Sequence, residues 1–225
     1  MLELAPLGPA SGVGSTATTL VVKTAGSTAL DYLTNLTRVL ALVPGEAVGR
    51  AIGLLLEARA RGKRVYVIGN GGSSATASHF VCDLVKTARV AGFEPVRAFA
   101  LTDNTPLLTA WANDSAYEDI FAEQVNALAD SGDLEIGITA SGNSPNIVAG
   151  LRAATARGAQ TIGLLGFDGG RARDLVDVAI HIESYDYGIV EDAHSAITHA
   201  IATAVRVALE ADALMDKFGT SSRAL

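Results

Sequence analysis

The chain has 225 residues, 49% of them hydrophobic and 18% charged, which is the balance of a folded core and excludes a disordered protein. A formal net charge of −7 at pH 7, with no basic run, excludes a nucleic-acid surface built on clustered Lys and Arg. Cys82 is the single cysteine, so no internal disulfide can form and a reducing compartment is expected.

In chain order, residues 1–23 are rich in Gly, Ser, Thr and Pro and are expected to form a flexible tail. The single domain is expected over 24–218, with 219–225 a flexible end. The start of the chain lacks a basic segment followed by an apolar core and a cleavage site, and no uncharged stretch is long enough to span a bilayer. A cytoplasmic protein without membrane partners is therefore expected. From Ser27, Leu30, Leu33, Leu36, Val39 and Leu40 form an apolar stripe at helical spacing that ends near Pro44. A second helix is expected from about Gly45 to Ala60, closed by Gly62. Helices ahead of a doubly wound sheet often cover its edge or pair with another subunit.

The stretch from Val65 to Phe80 organises the rest. Val65 to Ile68 read as a buried strand, Gly69, Asn70, Gly71 and Gly72 as a tight turn, and Ser73 as the start of a helix reaching about Thr87. Such a junction offers backbone N–H groups, a helix dipole and serine hydroxyls to an anion. Taken alone it also serves as a plain βα turn, and it matches neither the dinucleotide fingerprint nor the P-loop. Cys82, amid an apolar helix face, is expected to pack rather than react.

Strands are then expected near Val96 to Leu101, Leu134 to Thr139, Gln160 to Leu165 and Val178 to Ile182. Between them lie a helical stretch from Thr105 to Leu128 broken around Asn113, a helix from Ser144 to Arg157, and a short one ending near Leu175. A long helix from about Val190 to Phe218 closes the domain. Five short apolar strands alternating with helices predict an α/β fold, a doubly wound parallel sheet with ligands at the carboxyl ends of its strands. A second glycine loop, Thr139-Ala140-Ser141-Gly142-Asn143-Ser144-Pro145, follows the third strand. Pro145 suits a first helical turn and Ser144 an N-cap, so two such loops form an anion cradle without any lysine.

His79 and Asp83 stand four apart on the helix after the first loop. Glu191, His194 and His199 lie on the last helix, with Glu191 and His199 about two turns apart. Either set alone is common on a solvated helix. Together they can bind a divalent metal or act as acid and base. His181, in the last strand, reads as structural.

These residues carry a family resemblance. GNGGS at Gly69 to Ser73, ALTDNT at Ala100 to Thr105, AND at Ala112 to Asp114, SGNSPN at Ser141 to Asn146, GFDGG at Gly166 to Gly170 and the run from Glu191 to His199 resemble the sugar isomerase (SIS) domain family over about Ser27 to Leu209. Within it, the chain is similar to the bacterial phosphoheptose isomerases, which interconvert sedoheptulose 7-phosphate and an aldoheptose 7-phosphate. The resemblance implies a sugar-phosphate site lined by Asn70, Gly71, Gly72, Asn113, Asp114, Thr139, Ser141 and Ser144, to which Ser73, Ala140 and Glu191 are added by position. It implies that His79, Asp83, Glu191 and His199 form a metal or acid–base cluster, with Asp83 as general base and His199 as general acid and, instead or in addition, a zinc ion, one per subunit, held by the four. It also implies a homotetramer. Three positions depart from the family's usual pattern: Asp83 replaces glutamate, Glu191 glutamine and Ala140 threonine. The alternative is a non-catalytic SIS module that senses a sugar phosphate or binds a partner protein.

Overall fold

The structure, a computed structural model, describes residues 14–217. Its order is α1 (Gly14–Leu40), α2 (Gly45–Ala60), β1 (Arg64–Gly69), α3 (Gly72–Cys82), β2 (Arg97–Ala100), α4 (Thr105–Asp114), α5 (Ala122–Leu128), β3 (Leu134–Thr139), α6 (Pro145–Ala156), β4 (Gln160–Leu165), β5 (Val178–His181) and α7 (Tyr187–Lys217). The strands form one sheet in the order β2-β1-β3-β4-β5, every pair parallel.

The strands are short apolar runs because both faces are covered. On one face, Val65, Val67, Leu134, Ile136, Ile162 and Ile180 pack with Leu55 of α2, Phe80 of α3 and Ile197 and Ile201 of α7. On the other, Tyr66, Ile68 and Leu165 pack with Phe121, Val125, Ile147 and Leu151 from the α4–α6 side. From β1 the chain runs outward to β2, then returns to β3 on the other side. The crevice between the ends of β1 and β3 is thus the point where the topology reverses, and both glycine loops open there.

Three expectations change. The first helix begins at Gly14 rather than near Ser27, so the part of the expected tail from Gly14 onward is helical. Residues 1–13 and the expected flexible end at 219–225 lie outside the described residues. Cys82 is exposed, not packed. The face of α3 that meets the sheet carries Ser73, Ala77 and Phe80, and Cys82, two residues past Phe80, is turned about 200° from it. The helix after the first loop does reach Thr87, but its last turn, Asp83–Thr87, is a π-helix in which the Ala88 N–H donates to the Asp83 carbonyl at 2.7 Å. Single π turns of this kind recur at functional sites.

The α1 stripe splits. Leu36 and Leu40 pack against the core, whereas Leu30 and Leu33 are 66% and 55% exposed. Among the described residues no single helix is long and apolar enough to cross a membrane.

Candidate active site

Each glycine loop is shaped by close approach. Gly71 has φ 53° and is the N-cap of α3. Gly142 has φ 65°, and a Cβ there would lie 1.9 Å from the Gly169 carbonyl oxygen, so the second loop interlocks with the turn at 166–170. The two loops are tied across the crevice by a reciprocal amide pair: Asn70 Nδ2 donates to Asn146 Oδ1 at 2.9 Å and Asn146 Nδ2 to Asn70 Oδ1 at 2.8 Å. The Tyr117 hydroxyl also donates to Asn70 Oδ1 at 3.1 Å.

Between the loops lies a cavity of about 130 Å³ lined by Asn70, Ser73, Ile138, Thr139, Ala140, Ser141, Ser144, Tyr187 and Glu191. Thr139 Oγ1 accepts from the Gly142 N–H at 3.2 Å and Ser141 Oγ from the Asn143 N–H at 3.2 Å. Two N–H groups expected to face an anion are thus used within the loop. In exchange, each hydroxyl is held by its oxygen and keeps its own proton to donate. Ser144 occupies the N-cap position of α6 as expected, yet its side chain makes no capping bond, so its hydroxyl is free for the cavity.

Asn113 and Asp114 are not brought here. Both are exposed at the end of α4, where Asn113 Nδ2 donates to Asp114 Oδ1 at 2.7 Å. Gly71 and Gly72 shape the first loop without lining this cavity.

His79, Asp83 and His199 form a second constellation. Asp83 Oδ2 is 2.9 Å from His199 Nδ1 and 3.6 Å from His79 Nε2, and the two imidazoles meet edge to face at 4.8 Å. Asp83 is buried between the two exposed histidines. Its Oδ1 accepts from the Thr87 hydroxyl at 3.0 Å, while its buried Oδ2 has no partner in hydrogen-bonding geometry despite the short distance to His199. A carboxylate oxygen close to two imidazole nitrogens, but hydrogen-bonded to neither, is disposed as a ligand beside other ligands. The three side chains form a group able to hold a metal ion, their ligating atoms all within 4.8 Å of one another. The shorter side chain of Asp83 therefore still reaches its partners.

Glu191 is not part of that group. It lines the loop cavity, and a Cβ on Gly72 would fall 2.5 Å from its carboxylate, which is possible only because residue 72 is glycine. The expected four-residue set thus divides, three at the junction of α3 and α7 and the fourth at the start of α3, where the helix dipole favours its charge. His194 faces inward on α7. Burial pushes its pKa down to about 4 against a weaker pull from the Leu165 carbonyl, with which neither ring nitrogen makes a hydrogen bond of good geometry, so the ring stays neutral. His181 holds the 166–170 turn through the Phe167 carbonyl at 3.0 Å, in keeping with a structural part.

Sequence reasoning did not single out Tyr187, Asn146, Tyr117 or Thr87. Two of them carried a local signal: Tyr187 stands four residues before Glu191 on one helix, and Asn146 ends the SGNSPN motif. Thr87 acts through the π turn, which has no signature in the sequence.

The SIS domain family matches residues 31–166. The chain belongs to this family. A phosphoheptose isomerase of Geobacter sulfurreducens is 43% identical over 148 residues, 66% of this chain and 78% of that protein. One of Pelobacter propionicus is 40% identical over 155 residues, 69% of this chain and 82% of its own length. Among solved structures, a phosphoheptose isomerase from Francisella tularensis superposes with a TM-score of 0.75 at 26% identity, covering 83% of this chain and 98% of that one. One from Neisseria gonorrhoeae gives 0.70 at 28% identity, with 83% and 97% covered.

Proposed function

We propose that this SIS-family protein is an aldose–ketose isomerase that interconverts sedoheptulose 7-phosphate and an aldoheptose 7-phosphate. The observation that carries the reading is the Asp83–His199 pair, 2.9 Å apart at the meeting of α3 and α7, in a chain whose relatives at about 40% identity are named phosphoheptose isomerases. Asp83 removes the proton from the carbon next to the carbonyl. His199 protonates the carbonyl oxygen, giving the enediol, and the two exchange roles as the proton returns to the neighbouring carbon. Thr87 fixes Oδ1 of the base, which leaves Oδ2 facing the histidines. The Ser141, Ser144 and Thr139 hydroxyls and the start of α6 hold the phosphate, since the Glu191 carboxylate already stands at the start of α3.

Spacing supports a long substrate. Glu191 and His199 are separated by about 12 Å of helix rise, a span comparable with the ~10 Å of an open seven-carbon sugar phosphate at ordinary bond lengths and beyond the reach of a triose phosphate.

In place of the proton relay of Asp83 and His199, because a ligating oxygen or nitrogen cannot also carry the proton, His79, Asp83 and His199 would hold one zinc ion per subunit. Ligand atoms about 2.0–2.2 Å from a tetrahedral zinc stand about 3.4 Å apart, and the observed 2.9 and 3.6 Å bracket that value. Three protein ligands with a fourth position open is the pattern of a catalytic site. Bound there, zinc would polarise the carbonyl oxygen of the substrate. The exposed Leu30 and Leu33 support a homotetramer assembled through α1, and the unpaired Cys82 a cytoplasmic setting. A non-catalytic sensor has no need of a buried carboxylate between two imidazoles.

The test is direct: incubate the protein with sedoheptulose 7-phosphate, with and without zinc, and follow aldose formation. Absence of aldose under both conditions from a folded protein would overturn the proposal.

A further inference from the structure

A second cavity, of about 460 Å³ against about 130 Å³ between the glycine loops, shares no lining residue with the first and has the volume of a small-molecule site. It lies at the carboxyl end of the edge strand β5, beside the last turn of α1 and the connection to α2. Its polar walls are Arg38, Arg173, His181 and Glu183. Among the described residues neither guanidinium pairs with a carboxylate. Arg38 Nη2 donates to Asn35 Oδ1 at 2.9 Å, and Arg173 Nη1 makes one long contact with the Asp168 carbonyl, 3.4 Å, which leaves N–H groups of both for a ligand. In a chain of net charge −7, two arginines that share a cavity without a carboxylate bonded to either suit an anion, above all a phosphate.

The other walls select what the anion is attached to. His181 Nε2 donates to the Phe167 carbonyl at 3.0 Å, so Nδ1 of the neutral ring is an acceptor, and the exposed Glu183 carboxylate accepts only. Two acceptors call for hydroxyl donors. Val39 and Ile182, both buried, with Leu42 and Pro44 beside them, supply apolar surface for the carbon chain that carries those hydroxyls. Arg38 stands about 80° and about 140° around α1 from Leu30 and Leu33, off the face that would serve assembly.

Arg173 and His181 also hold the turn at 166–170. The Arg173 N–H donates to the Gly169 and Gly170 carbonyls, each at 3.3 Å, and a Cβ on Gly169 would fall 2.9 Å from Arg173 Cδ, so the arginine stem lies against that glycine. The Gly169 carbonyl is the atom with which Gly142 of the second glycine loop interlocks. His181 fixes Phe167, which among the described residues is the one non-glycine with positive φ, 51°, a conformation that persists only where the surroundings hold it. A ligand that immobilises Arg173 and His181 thus steadies the turn and, one backbone contact further, the loop of Ser141 and Ser144.

We propose that this cavity is an effector site for a phosphate ester of a polyhydroxy compound, with Arg38 and Arg173 on the phosphate and Glu183 and His181 on the hydroxyls, and that its occupancy stabilises the 166–170 turn against which the phosphate-binding loop is locked. The site stands apart from the residues of the isomerase reading and does not depend on it.

The probe is glucitol 6-phosphate, a polyol phosphate with no carbonyl to isomerise. Calorimetry on Ser141→Ala/Ser144→Ala, whose loop cavity has lost two hydroxyls, should show one site per chain. Adding Arg38→Ala or Arg173→Gln should weaken it at least ~10-fold, Arg38→Lys less than ~5-fold, and glucitol without the phosphate should bind at least ~10-fold more weakly. In the same protein the probe should slow hydrogen exchange of the Phe167 and Gly169 amides at least ~3-fold, an effect that Arg38→Ala removes at equal probe concentration. No binding to the folded Ser141→Ala/Ser144→Ala protein, or an affinity unchanged by Arg38→Ala, overturns the site. Binding without slower exchange overturns its hold on the turn. A smaller assembly for Arg38→Ala in light scattering would give the cavity to contacts between copies of the chain and overturn the proposal as well.

Discussion

Two glycines with the same φ should respond very differently to a single methyl group. Gly62, which closes α2, and Gly142, in the second loop, both have φ 65°. Alanine in the left-handed region costs about 1–2 kcal/mol at either position. At Gly62 nothing lies within 4 Å of the added Cβ, so that conformational cost is the whole effect. At Gly142 the Cβ would stand 1.9 Å from the Gly169 carbonyl oxygen, 2.4 Å from its carbonyl carbon and 2.9 Å from the Gly170 nitrogen, against ordinary contacts of 3.4–4 Å. All three are backbone atoms, so no side chain can swing aside. The turn at 166–170 must retreat, stretching the bonds from the Ala172 N–H to the Gly142 carbonyl at 2.9 Å and from Arg171 Nη2 to the Asn143 carbonyl at 2.7 Å. Overpacking of this order adds about 1–3 kcal/mol or more. Gly142→Ala should therefore lose about 2–5 kcal/mol in urea denaturation, Gly62→Ala about 1–2 kcal/mol. Gly142→Ala should also weaken inorganic phosphate binding in calorimetry, because Ser141 and Ser144 move with the loop. Equal stability losses with unchanged phosphate affinity would refute the interlocking of the two turns.

Glu135 gives a pH-dependent outcome. It is fully buried in β3, neither oxygen has a hydrogen-bond partner, and burial pushes its pKa well up. Above the unfolded value of about 4.3 the folded carboxyl keeps a proton that the unfolded chain has released, so stability falls as pH rises, by about 1.4 kcal/mol per unit until the folded group ionises. Glu135→Gln removes that slope, and its stability advantage over the unmodified chain should widen from pH 5 to pH 7. His194, depressed to about 4, acts in the opposite direction, losing stability as pH falls below about 6.5, so the difference between the two chains isolates Glu135. Parallel stability curves would contradict the buried, unpaired carboxyl. Zinc should raise the melting temperature by mass action, and His79→Ala should abolish most of that rise while Glu191→Ala leaves it, since Glu191 stands apart from the three ligands. An equal loss in Glu191→Ala would return that carboxylate to the metal group.

The local pattern carried much of the site. Val65 to Ile68 followed by Gly69, Asn70, Gly71 and Gly72 specify a strand and a tight turn through properties of adjacent residues, and the strand spans Arg64–Gly69. Pro145 specifies a helix start by fixing φ and lacking an N–H, and α6 begins there. The four-residue spacing of His79 and Asp83 placed both on one face of a helix, and they stand 3.6 Å apart. Cys82 misled because an apolar neighbourhood in sequence says nothing of which face of α3 meets the sheet.

By itself, then, the sequence determined what neighbouring residues control: the alternation of strands and helices, the two glycine loops, the helix boundaries set by Pro and Gly, and the ionisable residues on α3 and α7. Which of those residues meet was decided by the tertiary structure. Asp83 lies 2.9 Å from His199 because α3 and α7 pack side by side on the same face of the sheet, whereas Glu191 is carried to the start of α3 by the angle and register of that packing. Asn113 and Asp114 stay outside the cavity, exposed at the carboxyl end of α4. The π turn at Asp83 and the left-handed Phe167 are likewise products of long-range packing, since each is locally unfavourable and exists only where distant contacts outweigh the preference of its own backbone.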